Sequence, residues 1–403
     1  MKARLTARLV WAFVLYNSLA ANAQGLPTDP VSFVDGAVTI GGSISGSIAP
    51  KDNGFYNYTD YTYSSLRSIR GALTGRVRTG EHVSFLSELR MQNGSPPDLY
   101  ALYMRVKPWV DRDVDVQIGR VPPTFGAFPS RAYTADNLLI GYPLGYQYLT
   151  SLRPDSLPAS ADDLLAMRGR GWLARFPVGD VVAHHGVAPS TAFRWDTGVR
   201  LHAATDLLEA TGAVTVGTIS NPLVRDDNDA LQLVGRLVAR PLAGLVLGGS
   251  MSHGTFVTTE AAAASGTLDG RELAQDAWGA DVEYSWGYYL IRAEAIVSRW
   301  TLPVIAAPFI EQPLESESIS VEGRYRIMPG LYAAARADYL GFSDVTGTHG
   351  TMPWDAPVSR LEVGGGYSLQ RNLLLKVTYQ YNRRDDTRTP RAHFIAAEVM
   401  FWL

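Results

Sequence analysis

The sequence predicts an all-β chain, a transmembrane antiparallel up-and-down β-barrel. Three observations predict it: apolar and polar residues alternate over long segments, short and long connections alternate between those segments, and the N-terminus reads as an export signal.

The alternation is clearest near the C-terminus. Leu373, Leu375, Val377, Tyr379 and Tyr381 share one face of an extended segment, and Leu374, Lys376, Thr378, Gln380 and Asn382 share the other. Trp278, Ala280, Val282, Tyr284 and Trp286 oppose Gly279, Asp281, Glu283 and Ser285. Ile69, Gly71, Leu73, Gly75 and Val77 oppose Arg70, Ala72, Thr74, Arg76 and Arg78. Phe193, Trp195, Thr197, Val199 and Leu201 likewise oppose Arg194, Asp196, Gly198, Arg200 and His202. Strands of a soluble sandwich are shorter, about five or six residues, and turn their apolar faces to a shared core. A bilayer demands longer strands, apolar toward lipid, with every backbone group paired around a closed ring. The 20 Tyr and 9 Trp supply two interfacial girdles, with Trp278 and Trp286 at opposite ends of one outward face.

Connections are short at 79–80, 108–112, 241–244, 286–287, 329–330 and 370–372. Between them lie long polar ones at 50–64, 121–166, 220–229, 254–271, 301–313, 341–357 and 384–390. Tight periplasmic turns and long extracellular loops produce that rhythm. Counting from Ala37 gives about eighteen strands, with periplasmic N- and C-termini. Sixteen is the alternative, because 176–201 is the weakest stretch and Val181 to Val187 reads as a rim strand at most. No linker divides residues 37–403, so they form one barrel, preceded by a short periplasmic segment at 24–36.

Lys2, Arg4 and Arg8 precede an apolar stretch at 9–20, and Ala21-Asn22-Ala23 supplies a small-x-small cleavage pattern. Residues 1–23 are therefore expected to be a signal peptide. With no cysteine, the chain has no disulfide framework and no thiolate nucleophile or metal ligand. A net charge of −3 argues against a nucleic-acid binder. Beyond the signal, no segment approaches the ~18 apolar residues of a transmembrane helix.

At this point the sequence resembles a Gram-negative porin of the general or phosphate-selective type. Its last residues, RAHFIAAEVMFWL, are similar to the final strand of such barrels, although Leu403 stands where an aromatic residue is usual. The second likeness is the third and longest loop, 121–166, which opens with RVPPTFGAF from Arg120. The resemblance implies an outer-membrane location and a third loop folded into the barrel. It also implies contact with lipid and lipopolysaccharide, recognition of the C-terminal strand by the barrel-assembly machinery, and a possible homotrimer.

The expected function is passive diffusion of small hydrophilic solutes or ions with a slight anion preference. Sixteen or more strands enclose more space than their own side chains fill. Arg70, Arg76, Arg90 and Arg105 on the wall, facing Asp136 and Asp163 on the loop, are the expected pore-lining residues. Ile140, Tyr142, Leu144, Tyr146, Tyr148 and Leu149 give that loop apolar mass, and Ser160 with Asp163 is placed to cap a short helical turn through Met167. A non-conducting structural or adhesive barrel is the alternative, and a barrel-resident hydrolase a further one.

No catalytic, cofactor or metal residues are expected. Seven His show no recognised constellation, and neighbours such as His184 and His185 point to opposite faces of a strand. Asp226 to Asp229 lacks the glycine and spaced glutamate of a calcium loop, and no helix follows Arg168 to Gly171 to make a phosphate cradle.

Overall fold

The computed structural model of the chain describes residues 30–59, 63–267, 270–311, 313–386 and 388–403. The signal-peptide expectation for 1–23, and residues 24–29 of the short segment after it, lie outside the described residues.

Sixteen wall strands follow one another in order. They are β1 (Val38–Ile48), β2 (Ile69–Arg78), β3 (Val83–Gln92), β4 (Asp98–Val106), β5 (Asp113–Val121), β6 (Asp196–Ala204), β7 (Leu208–Thr215) and β8 (Gln232–Leu242). The circuit continues with β9 (Leu245–Thr255), β10 (Ala274–Trp286), β11 (Tyr289–Trp300), β12 (Leu314–Met328), β13 (Leu331–Phe342), β14 (Val358–Gln370), β15 (Leu373–Arg384) and β16 (Arg391–Trp402). Each pairs antiparallel with the next, and β1 pairs with β16 from Ser43↔Trp402 to Ile48↔Ala397, which closes the ring. Closure leaves no row of unpaired backbone groups facing lipid. Val31–Phe33 pairs back on the base of β1.

The predicted faces are present. Ile69, Leu73 and Val77 are exposed outward, whereas Lys376, Gln380 and Asn382 are buried inward. Trp278 and Trp286 both stand on the outer surface. The long connections gather at one end, which is extracellular, and both described ends of the chain lie at the other.

The strand count is sixteen, the stated alternative, and not about eighteen. The whole stretch from Pro122 to Trp195 lies between β5 and β6 and gives the wall nothing. Val181 to Val187 forms no strand; Val178–Gly179 pairs with Ser156–Leu157 inside the same loop, and His184 makes a single bridge to Ala174. Pro177, Gly179, Gly186 and Pro189 punctuate this stretch too often for a ladder to form. The third loop therefore runs well past the expected end at Ala166. Phe193 and Trp195, expected on the lipid face, lie inside: Trp195 is buried with ring centroids 5.8 Å from Tyr100 and 6.1 Å from Tyr103.

One glycine shows how tightly the wall is set. Gly119 has φ +128°, and a Cβ there would fall 2.4 Å from the Leu102 carbonyl oxygen on β4. Gly119→Val is expected to cost about 1–3 kcal/mol of backbone strain. Its readout is a smaller heat-modifiable, compactly migrating fraction on gels of the refolded barrel.

Candidate functional site

The lumen is occupied by the third loop, which enters at Pro122 and crosses to the far wall. The Gly126 amide donates to Ser250 Oγ at 3.0 Å, and the Ala127 amide to Glu294 Oε1 at 2.6 Å. Tyr146 donates its hydroxyl proton to the same Glu294 oxygen at 2.6 Å. After a 3₁₀ turn at Phe128–Arg131, the chain passes β15 and β14. There Lys376 Nζ donates to the carbonyls of Thr134, Asn137 (2.6 Å) and Leu139 (3.4 Å), and the Gly141 amide donates to Glu362 Oε1 at 2.9 Å. Arg360 binds the Tyr142 carbonyl at 2.9 Å and the Tyr56 carbonyl of the first loop at 2.8 Å. Irregular backbone at membrane depth is tolerated where protein or a water-filled cavity surrounds it, and here wall side chains supply the partners.

A single row of alternating charges supports this crossing. The strand register sets Glu283, Arg292, Glu322, Arg336 and Glu362 opposite one another in sequence across β10 to β14. Their contacts are 2.6, 3.4, 3.4 and 2.8 Å, and Arg336 also lies 3.2 Å from Asp338. From the loop, Arg131 reaches Glu283 at 3.6 Å.

Above this level the loop builds a dry cap. Leu152, Leu157, Leu164 and Phe176 pack with Phe256, Trp300, Ile310 and Trp354 from later strands and loops. Asp355 pins the cap by accepting from the Ser151 and Gly169 amides, each at 2.7 Å. Burial holds its carboxyl above the usual carboxylate range, and these amide bonds pull it partly back.

Among the described residues, chambers of three sizes lie beside the loop. The outer one, about 300 Å³, is bordered by His184, His185, Arg194 and Asp227. A second, about 380 Å³, lies between the loop and the wall near β1 to β4, lined by Arg70, Arg90, Tyr100, Tyr133, Tyr142 and Phe193. The largest, about 610 Å³, carries six arginines (131, 200, 236, 240, 292 and 324) against four carboxylates, Asp136, Glu209, Asp281 and Glu283.

The expected pore residues divide between these surroundings. Arg70 and Arg90 do meet the third loop, but their loop partners are tyrosines. Arg70 donates to the Tyr142 hydroxyl, with its guanidinium 5.3 Å from that ring centre. Arg90 lies 3.3 Å from the centre of Tyr100 and 4.8 Å from that of Tyr133, and pairs with Glu88. Arg105 pairs with Asp115 on the neighbouring strand at 3.3 Å instead, and Arg76 is exposed with no ion pair among the described residues. Asp136 faces the largest chamber, with Lys376 and Arg292 as its cationic neighbours. Asp163 is a helix cap: it closes a box with Ser160 at the start of Ala161–Ala166, and its carboxylate accepts from Ala159 and Ser160. The capped turn was expected; an attraction between Asp163 and the wall arginines is replaced by this local bonding.

Among the residues the sequence reading passed over, Arg360 was available from the same period-2 pattern, while nothing in the sequence singles out Asp355. His184 and His185 border the outer chamber with ring centroids 4.2 Å apart, and Asp226 Oδ1 closes a turn onto the Asn228 and Asp229 amides. Among the described residues, Asp113, Asp115 and His202 alone bring three metal-capable atoms within 4.8 Å. Lys107 at 3.5 Å and Arg105 at 3.3 Å already neutralise those carboxylates, which disfavours a cation there.

The fold and its lumen define the class: an outer-membrane β-barrel of porin-like architecture, with a long loop folded inside. No family model matches the chain, and no curated protein matches its sequence. Solved structures match over nearly its full length. The chain is similar to the anion-selective porin from Comamonas acidovorans (TM-score 0.56, 10% identity, 91% of this chain and 99% of that one). It is similar to OmpT, an outer-membrane protein of Vibrio cholerae (TM-score 0.55, 11% identity, 93% and 100%). It is also similar to Salmonella typhi OmpF (TM-score 0.54, 9% identity, 93% and 100%).

Arg336→Met tests the charge row. It leaves Glu322, Asp338 and Glu362 without their common cation, and removing one member of a buried network costs about 3–5 kcal/mol. The expected result is a lower urea midpoint and a lower temperature for the heat-induced gel shift.

Proposed function

We propose that the barrel is a passive diffusion channel for small hydrophilic solutes, with a slight preference for anions. The observation that carries this reading is the order of the chambers. The outer one shares Thr59 and Phe193 with the 380 Å³ chamber, which shares Tyr133 with the 610 Å³ chamber. In this reading the three are successive chambers of one route past the third loop, and Phe193 and Tyr133, which border two chambers each, are its narrow points.

The sign of the preference follows from which charges are already neutralised. In the largest chamber Arg236 pairs with Asp281 at 2.7 Å, Arg240 with Glu209 at 2.7 Å, and Arg292 with Glu283 at 2.6 Å. Arg200 and Arg324 have no ion pair or side-chain hydrogen bond among the described residues, and the Nε of each is buried without a partner. The positive charge they add to the chamber attracts a passing carboxylate, phosphate or chloride and repels a cation.

The outer wall favours a homotrimer. Exposed aromatics such as Trp278, Tyr284, Tyr325, Tyr339 and Tyr379 belong to β10–β15, the pattern of a surface in lipid. On β1 and β2 the outward positions alternate Ile40, Ile44 and Leu73 with Gly42, Gly71 and Gly75, a flat surface suited to packing against another copy. Native mass spectrometry in mild detergent is expected to give three chains, and a monomer would remove this part of the reading.

Planar-bilayer recording is expected to show stepwise ohmic conductance, larger in Phe193→Ala and Tyr133→Ala. Arg200→Glu with Arg324→Glu is expected to move the reversal potential toward cations. Silent membranes containing folded, heat-modifiable protein would overturn the channel in favour of a structural or adhesive barrel. A substrate-hydrolysing activity without conductance would favour an enzyme.

A further inference from the structure

The 380 Å³ chamber is lined differently from its neighbours. One side is a row across three wall strands: the register sets Ser45 on β1 opposite Arg70 on β2 and opposite Met400 on β16. The facing side is the third loop with Tyr133, Tyr142 and Phe193, and β4 adds Tyr100. Phe193 and Tyr142 have ring centroids 4.5 Å apart and planes inclined at 58°. A cavity of about this size, rich in aromatic side chains with a few placed polar groups, has the character of a small-molecule site.

Two of those polar groups ask for the same kind of partner. Arg70 donates to the Tyr142 hydroxyl and, at 3.3 Å, to the Ser65 carbonyl, and it has no ion pair among the described residues. Glu398, whose charge reaches Arg70, is paired with Lys376 at 3.7 Å. Arg90 is paired with Glu88, and Asp98, the acidic residue of the lining, stands opposite Arg90 in the register and is exposed. Tyr142 is 3% exposed, and its oxygen accepts from Arg70 while its own proton has no acceptor among the described residues. A buried donor left unmet is costly. Guanidinium and hydroxyl, side by side, therefore both call for one negatively charged acceptor.

We infer that this chamber binds an aromatic monocarboxylate. The carboxylate accepts charge-assisted hydrogen bonds from Arg70 and the Tyr142 hydroxyl, and the ring lies among Tyr133, Phe193 and Met400. A dianion such as phosphate finds no second cation, because Glu88 holds Arg90. A sugar would set several hydroxyls against aromatic and thioether surface without partners. The inference rests on the channel reading for the passage of the solute and names the class it selects, but binding is measured without conductance.

The test is a ligand-observed NMR titration of the full refolded barrel in detergent. The probes are benzoate, benzamide (ring without charge), acetate (charge without ring) and inorganic phosphate. Benzoate is expected to bind about tenfold or more tightly than each of the other three. Arg70→Met is expected to bring benzoate down to the affinity of benzamide while leaving benzamide binding in place. Tyr142→Phe, which keeps the ring and removes the donor, is expected to weaken benzoate about tenfold and benzamide much less. It supplies the decisive comparison if Arg70→Met does not refold to a heat-modifiable barrel. Benzoate binding no tighter than benzamide, acetate or phosphate would overturn the inference, as would an unchanged benzoate preference in folded Arg70→Met or Tyr142→Phe. Selective benzoate binding by a barrel that is silent in planar bilayers would sink the channel and keep the site.

Discussion

The constraint on which this structure depends is that a sheet in lipid has no free edge. The six residue pairs between β1 and β16 meet that requirement at the seam. Once the ring closes, the number of strands sets its width, and sixteen strands enclose more space than their inward side chains fill. That space must hold water, protein or both. Here the chain between Pro122 and Trp195 is turned inward to share it, so the largest departure from regular structure follows from the most regular part of the fold.

Turning that segment inward creates a second requirement. It is mostly irregular, and its backbone amides and carbonyls sit at the depth of the bilayer. The wall supplies the partners through charged side chains: Glu294 and Glu362 accept from loop amides, and Lys376 and Arg360 donate to loop carbonyls. Charges on β11 to β16 that look like pore lining in the sequence are thus largely committed to holding the loop. Arg324 on β12 is an exception: like Arg200 on β6 it borders the largest chamber and has no ion pair among the described residues. The electrostatic asymmetry of the lumen follows from which wall the loop leans on.

Much of this was legible in the sequence, for a stated reason. Period 2 reads out directly on a two-sided sheet, so the faces of the strands at 69–78, 274–286 and 373–384 match the expected ones. The inward turn of the third loop was legible from its apolar residues, because Tyr142, Leu144 and Tyr146 cannot all face water. The strand count was not. Phe193 and Trp195 alternate as a lipid-facing strand does, and only their partners, Tyr142 for one and Tyr100 with Tyr103 for the other, place them inside. Pairing partners were the other illegible quantity. Arg105 reads as a partner for the loop, but Asp115 on the neighbouring strand takes it, whereas the cap of Ser160 with Asp163 was legible from their spacing.

The replacement of aspartates by tyrosines beside Arg70 and Arg90 changes the electrostatics of the second chamber. A carboxylate on the loop would neutralise a wall guanidinium and leave a dipole across the gap. A tyrosine ring attracts the cation through its quadrupole and removes none of its net charge. The two arginines then differ for a local reason: Glu88, two residues before Arg90 on the same face, forms an ion pair with it, while among the described residues Arg70 has hydrogen bonds to the Tyr142 hydroxyl and the Ser65 carbonyl and no ion pair. The chamber therefore holds one guanidinium with an ion pair and one without among the described residues, set among Tyr100, Tyr133 and Phe193. In the proposed channel, a solute passing here meets a single positive charge framed by aromatic edges, not the opposed rows of charge that the sequence suggested. In that proposal such a surface would admit neutral and anionic solutes with little sorting by dipole orientation, leaving stronger anion attraction to the next chamber, where Arg200 and Arg324 have no ion pair among the described residues.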